Sequence, residues 1–140
     1  MRELDGVKYY NDSIASSPTR TALGTLSLYS RKICIIAGGY DKHIPYEPLG
    51  PVINDKVKLL ILLGDTAPKI EKAVKEASNY DADEIEIVNV TNMEEAVAVA
   101  RERSTKGDIV SLSPASASFG LYKNFEERGN HFKSIVNALK

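Results

Sequence analysis

Apolar residues fall into two rhythms along this chain: short, nearly unbroken runs, and longer stretches in which they recur every three or four positions. Val57 to Leu63 (VKLLILL) is the plainest run, and its lack of alternation is what a parallel strand covered on both faces requires. Lys32 to Ala37 (KICIIA) has the same character and closes on Gly38-Gly39. Ile85 to Val90 and Ile109 to Leu112 supply further strands. Between the runs, helical spacing predicts stripes at Ala22, Leu23, Leu26 and Tyr29, at Ala67, Ile70, Val74 and Ala77, at Met93, Ala96, Val97 and Ala100, and at Phe132, Ile135, Val136 and Leu139. Pro18 suits the first turn of the first of these helices, and Thr66 and Asn92 are placed to cap the next two. Pro48 and Pro51 predict a short, irregular helix around Tyr46 to Asn54. Met1 to Tyr10 reads as a hairpin turning at Asp5-Gly6, with Val7 and Tyr9 on one face.

Strands alternating with helices imply right-handed crossovers and an α/β fold, a three-layer α/β/α sandwich around a Rossmann-like, mostly parallel sheet of about six strands with an N-terminal hairpin. No linker, repeat or low-complexity tract divides residues 1–140, so a single domain is expected. A formal net charge of -1 gives no electrostatic case for nucleic acid or an anionic membrane as partner. No apolar run approaches the roughly 18 residues of a membrane span, and the N-terminus lacks a signal-peptide pattern. The lone Cys34 sits inside an apolar strand pattern, as a buried thiol in a reducing compartment would. A monomeric, cytoplasmic protein is expected.

Candidate chemistry gathers after the strands, where ligands bind in open α/β sheets. Asn11-Asp12-Ser13-Ile14-Ala15-Ser16-Ser17 precedes the Pro18 helix, and its short polar side chains serve either as helix caps or as an anion or ribose site. Gly38-Gly39-Tyr40-Asp41-Lys42-His43 pairs a flexible turn with a cation suited to a carboxylate or phosphate, or else a solvated turn lysine. Gly64-Asp65-Thr66 turns the chain and caps a helix. The run SPASASFGLYKNFEERG, Ser113 to Gly129, packs serines, two phenylalanines and four charged residues into one connection. Equally informative are the missing motifs. There is no G-x-x-x-x-G-K-[ST] loop, no G-x-G-x-x-G, no G-x-S-x-G elbow and no metal-ligand spacing. The chain offers convergent polar loops without a catalytic apparatus of its own.

The order NDSIASSP, AGGYDK, LSPASASFGLYKNFEERG and NHFKSIV, spread over essentially the whole chain, resembles the C-terminal domain of the Mur ligases, and among them the branch that adds D-glutamate. The D-N-P-R signature of the diamino-acid-adding members is absent. The resemblance implies a domain of an ATP-dependent amide ligase in peptidoglycan synthesis. In such an enzyme ATP phosphorylates the carboxylate of UDP-N-acetylmuramoyl-L-alanine, and the amine of D-glutamate attacks the acyl phosphate. UDP and the P-loop with Mg2+ belong to an N-terminal and a central domain. The C-terminal domain carries the amino-acid site and closes over ATP. Alone, such a chain is expected to be inactive, to hold no permanent cofactor and to supply no catalytic residue.

Carried over residue by residue, the resemblance implies a D-glutamate site of Ser16, Lys42 and Ser118, helped by backbone N–H groups near Phe119 and Phe125, and a ribose contact at Asp12 with Asn11 beside it. Asn124, Glu126 and Arg128 fit an internal network that shapes the loop. One position departs from the family: Ile14 stands where a lysine that contacts nucleotide phosphate is common, so that contact is weaker or falls to another cation such as Arg20. Two other functions fit the fold, a folylpolyglutamate-synthase-like ligase domain and a non-catalytic nucleotide- or anion-binding module.

Overall fold

Ile33, Cys34, Ile35, Ile36 and Ala37 are all at most 1% exposed, and they form β3 (Ile33–Ala37), a strand in the interior of the sheet. A computed structural model describes residues 2–4, 6–11, 32–39, 45–112 and 125–139, with backbone only for Arg2 and Phe125. The other strands are β1 (Arg2–Leu4), β2 (Val7–Asn11), β4 (Val57–Leu62), β5 (Glu86–Asn89) and β6 (Ile109–Leu112). They lie in the order β1-β2-β6-β3-β4-β5. β1 and β2 form the antiparallel hairpin; every other pairing is parallel. The α/β class, the six strands and the hairpin all agree with the sequence pattern.

Helices cover both faces. α1 (Leu49–Lys56) and α2 (Ala67–Glu76) pack on one, where Leu49, Ile53, Ile70 and Val74 meet Ile33, Ile35, Leu60 and Leu62. α3 (Met93–Arg103) and α4 (Phe125–Ala138) pack on the other, where Met93, Val97, Phe132 and Val136 meet Cys34, Ile36, Leu59, Ile61 and Val110. A uniform crossover hand demands this division, because the chain steps one way from β3 through β4 to β5 and then returns to β6. Asn92 caps α3 as its position suggested, its Oδ1 accepting from the Glu95 N–H at 2.8 Å.

The structure corrects three local expectations. The segment around Pro48 and Pro51 forms a regular helix, because the prolines fall at the N-cap and in the first turn, where no intrahelical N–H is needed. In α2, Ala73 is buried in place of Ala77, which is the half-buried C-cap. Thr66 stands at the N-cap of α2 in a helical backbone conformation, but its side chain makes no cap bond. Elsewhere α1 is tied to the end of α2 by Asn54, whose Nδ2 donates to the Val74 carbonyl at 2.9 Å and to Asn79 Oδ1 at 3.1 Å.

β4 carries one irregularity with an electrostatic purpose. Ile33 pairs with Val57 but Cys34 with Leu59, so Lys58 is an extra residue, and only this bulge lets Val57 and Leu60 share a face. Lys58 Nζ then pairs with Asp108 Oδ1 at the entrance to β6, across the start of β3. Asp108 is 3% exposed, and its Oδ2 also accepts from the Thr105 N–H at 2.7 Å. Burial pushes the Asp108 carboxyl upward, but the Lys58 ammonium and the Thr105 N–H outweigh it and hold the carboxyl below its ordinary value.

A depressed carboxylate contributes stability that is present above its unfolded pKa, about 3.9, and is lost as pH falls through the lower folded value. We therefore expect Asp108→Asn to lower the unfolding free energy at pH 7 by about 1.5–3 kcal/mol, the net worth of hydrogen bonds to a charged group. Urea unfolding across pH should show the gap to the unsubstituted chain shrinking below about pH 4. A gap that stays constant into acid would remove the ion pair as its source.

Candidate functional site

Three adjacent strands end together at the carboxyl edge of the sheet. Asn11, the last residue of β2, pairs with Leu112, the last of β6, and Leu112 pairs in turn with Ile36 of β3. β3 and β6 are also where the chain changes face, since β3 leads on to α1 and β6 to α4. A crevice between neighbouring strands whose connections part to opposite faces is the usual ligand position in such sheets.

The floor of this crevice is set by backbone. Gly38 has φ 109°, and a Cβ there would run into the Leu63 carbonyl oxygen. Leu63 N donates to the Ala37 carbonyl at 3.1 Å, which carries the β3–β4 pairing one step past the strands. Gly64 has φ 81°, and a Cβ there would lie 2.9 Å from Gly39 Cα. Gly39 N donates to Thr66 Oγ1 at 2.9 Å, while Thr66 N donates to the Gly39 carbonyl at 3.1 Å. Thr66 is 0% exposed. The turns after β3 and β4 are thus locked together by reciprocal hydrogen bonds, and that contact accounts for the absent cap bond.

Of the candidate residues, Asn11 lies exposed on this edge, and Phe125 opens α4 behind β6. Asp12, Ser16, Lys42, Ser118 and Phe119 lie outside the described residues, as do Ile14, Arg20 and Asn124. Among the described residues that flank those stretches, Asn11 before the first and Leu112 before the third are strand partners, and Leu112 also pairs with Ile36, three residues before Gly39 at the second. The loop-shaping set divides, for Arg128 is 3% exposed while Glu126 and Glu127 are exposed. Asp65 is exposed in the turn before α2. Among the described residues no cluster of His, Cys, Asp or Glu could hold a metal ion, and no described helix is long and apolar enough to cross a membrane.

Close by, α3 and α4 touch through His131 Nε2 and Glu94 Oε1, 2.9 Å apart. Glu94 is held below the ordinary carboxylate value, chiefly by a backbone N–H in the first turn of α3 and then by His131. This contact links α3 to α4, whose N-terminal end borders the third stretch. The role of Thr66 has no sequence signal, because a threonine before a helix reads as a cap whatever its side chain holds.

A family described as Mur ligase, glutamate ligase domain, matches residues 1–116. The chain belongs to that family. It is 57% identical over 142 aligned residues to the UDP-N-acetylmuramoylalanine--D-glutamate ligase of Acetivibrio thermocellus, covering 100% of this chain and 30% of that protein. The protein of the same name from Clostridium botulinum (strain Okra / Type B1) is 58% identical over 139 residues, covering 99% of this chain and 30% of its own length. The chain therefore spans about 30% of the length of these curated relatives.

The interlock at the crevice floor makes Gly38 intolerant of a side chain. Gly38→Ala must adopt an unfavourable φ and also displace the Leu63 carbonyl. We expect a loss of at least about 2 kcal/mol of unfolding free energy, given that a strained backbone alone costs about 1–3 kcal/mol. Urea denaturation followed by circular dichroism measures it, and an alanine variant as stable as the original chain would contradict the packing described.

Proposed function

We propose that this chain is the amino-acid-binding and ATP-closing domain of a ligase that adds D-glutamate to UDP-N-acetylmuramoyl-L-alanine. The observation that carries the reading is an identity of 57–58% with D-glutamate ligases that runs along 99–100% of the chain, crevice-bearing strand ends included. In this reaction the acceptor carboxylate takes the γ-phosphoryl group of ATP and ADP leaves; the neutral D-glutamate amine then attacks the carbonyl carbon of the acyl phosphate, and inorganic phosphate and the amine's proton depart as the amide forms.

This chain's part is to hold the amine in line. D-glutamate brings two carboxylates besides its nucleophile, so its site needs two sets of donors. Lys42 answers one carboxylate as a point charge with Ser16 beside it; Ser118 and the backbone N–H groups near Phe119 and Phe125 answer the other. Asn11 is exposed on the carboxyl edge, and its amide suits ribose hydroxyls alongside Asp12. By the family resemblance, Mg2+ falls to the parts of the ligase that lie outside this chain. The buried Cys34 thiol agrees with a reducing, cytoplasmic setting. The domain acts as a monomer and needs no nucleic acid or membrane.

Steady-state kinetics of the full-length ligase test the assignment. A charged hydrogen-bond donor is worth about 1.5–3 kcal/mol, so Lys42→Ala should raise the D-glutamate KM by roughly 10- to 100-fold. A neutral hydroxyl contributes about 0.5–1.5 kcal/mol, so Ser16→Ala should raise it roughly 2- to 10-fold. L-glutamate should give no product. Turnover of L-glutamate would move the assignment to a polyglutamate-adding ligase, and a Lys42→Ala variant with unchanged KM would remove Lys42 from the site.

A further inference from the structure

We propose that Thr66 is a positioning residue for D-glutamate, its buried hydroxyl fixing the Gly38-Gly39 turn that precedes Lys42. The inference rests on the assignment of Lys42 above. Lys42 follows Gly39 by three residues, so an error in the direction of the chain at Gly39 is passed directly to the lysine. Position 39 is buried, and its N–H donates to Thr66 Oγ1 at 2.9 Å. The reverse bond, from Thr66 N to the Gly39 carbonyl at 3.1 Å, fixes the plane of the following peptide as well.

Sterics hold the same turn from the other side. The Leu63 carbonyl fills the place of a side chain at Gly38, and Gly64 lies against Gly39. These contacts limit where the turn can go, but they are not directional. Among the described residues it is the hydroxyl that specifies the orientation of the Gly39 N–H. Without it that buried donor must turn toward another acceptor, and the chain leading to Lys42 turns with it. A displacement on the order of 1 Å in a substrate-positioning group is enough to cost a site much of its ligand geometry.

The test compares Thr66→Ser with Thr66→Ala in the full-length ligase. The two variants lose the same methyl group and differ by one hydroxyl, so any general loosening of the core is common to both. We expect Thr66→Ser to keep the original D-glutamate KM and Thr66→Ala to raise it about tenfold, equivalent to one lost hydrogen bond of about 1.4 kcal/mol. The KM values for ATP and the UDP-linked acceptor should not change in either variant. Equal D-glutamate KM values for serine and alanine would overturn the proposal, as would an alanine variant that lowers only the melting temperature. A double-mutant cycle with Lys42→Ala supplies the second readout. If Thr66 acts through the lysine, Thr66→Ala adds nothing in the Lys42→Ala background; full additivity overturns it. Should Lys42→Ala alone leave the KM unchanged, the assignment of Lys42 is at fault, a result distinct from any outcome of the serine and alanine comparison.

Discussion

A carbonyl oxygen and a methyl group cannot occupy the same place, and at the carboxyl edge of this sheet the missing methyl at Gly38 is what lets the turns after β3 and β4 come together. The Leu63 carbonyl lies where residue 38 would carry its Cβ. The close approach this permits lets Leu63 N reach the Ala37 carbonyl and Thr66 reach Gly39 twice. Because β3 is buried on both faces by apolar side chains, it presents no polar side chain of its own with which to anchor a loop. The backbone has to do so. The start of α2 and the path of the turns after β3 and β4 both follow from this one contact.

The strands were legible in the sequence because burial on both faces leaves a signature that needs no partner to interpret. VKLLILL can hardly be anything but a covered parallel strand, and the structure places β4 there. The bulge inside it was not legible. Lys58 looks like any second residue of a strand, and the reason for its extra position is Asp108, 50 residues further on. Long-range electrostatics leaves no local mark. The error over Pro48 and Pro51 had another cause: proline breaks helix interiors, but here both fall where a helix has unbonded N–H groups to spare.

For the site, sequence motifs and topology contributed different halves. The motifs named side chains and a ligand, yet could not say that their stretches leave neighbouring strands. Strand order supplies that, through the pairing of Asn11 with Leu112 and of Leu112 with Ile36. Thr66 belongs to neither half. Its backbone stands where a cap should be while its hydroxyl is engaged 27 residues away, and only coordinates reveal such a divided role.

The two edges of the sheet also differ in the kind of interaction they use. The amino edge is fastened by a charged pair, Lys58 with the nearly buried Asp108. The carboxyl edge is fastened by glycines and a threonine, all neutral. A carboxylate in the second clamp would hold Gly39 at least as well, since an ionised acceptor makes the stronger bond. It would also place a buried negative charge in the turn, where water screens it little. A hydroxyl gives direction without field. The weaker bond thus fixes the turn without adding a buried charge to it.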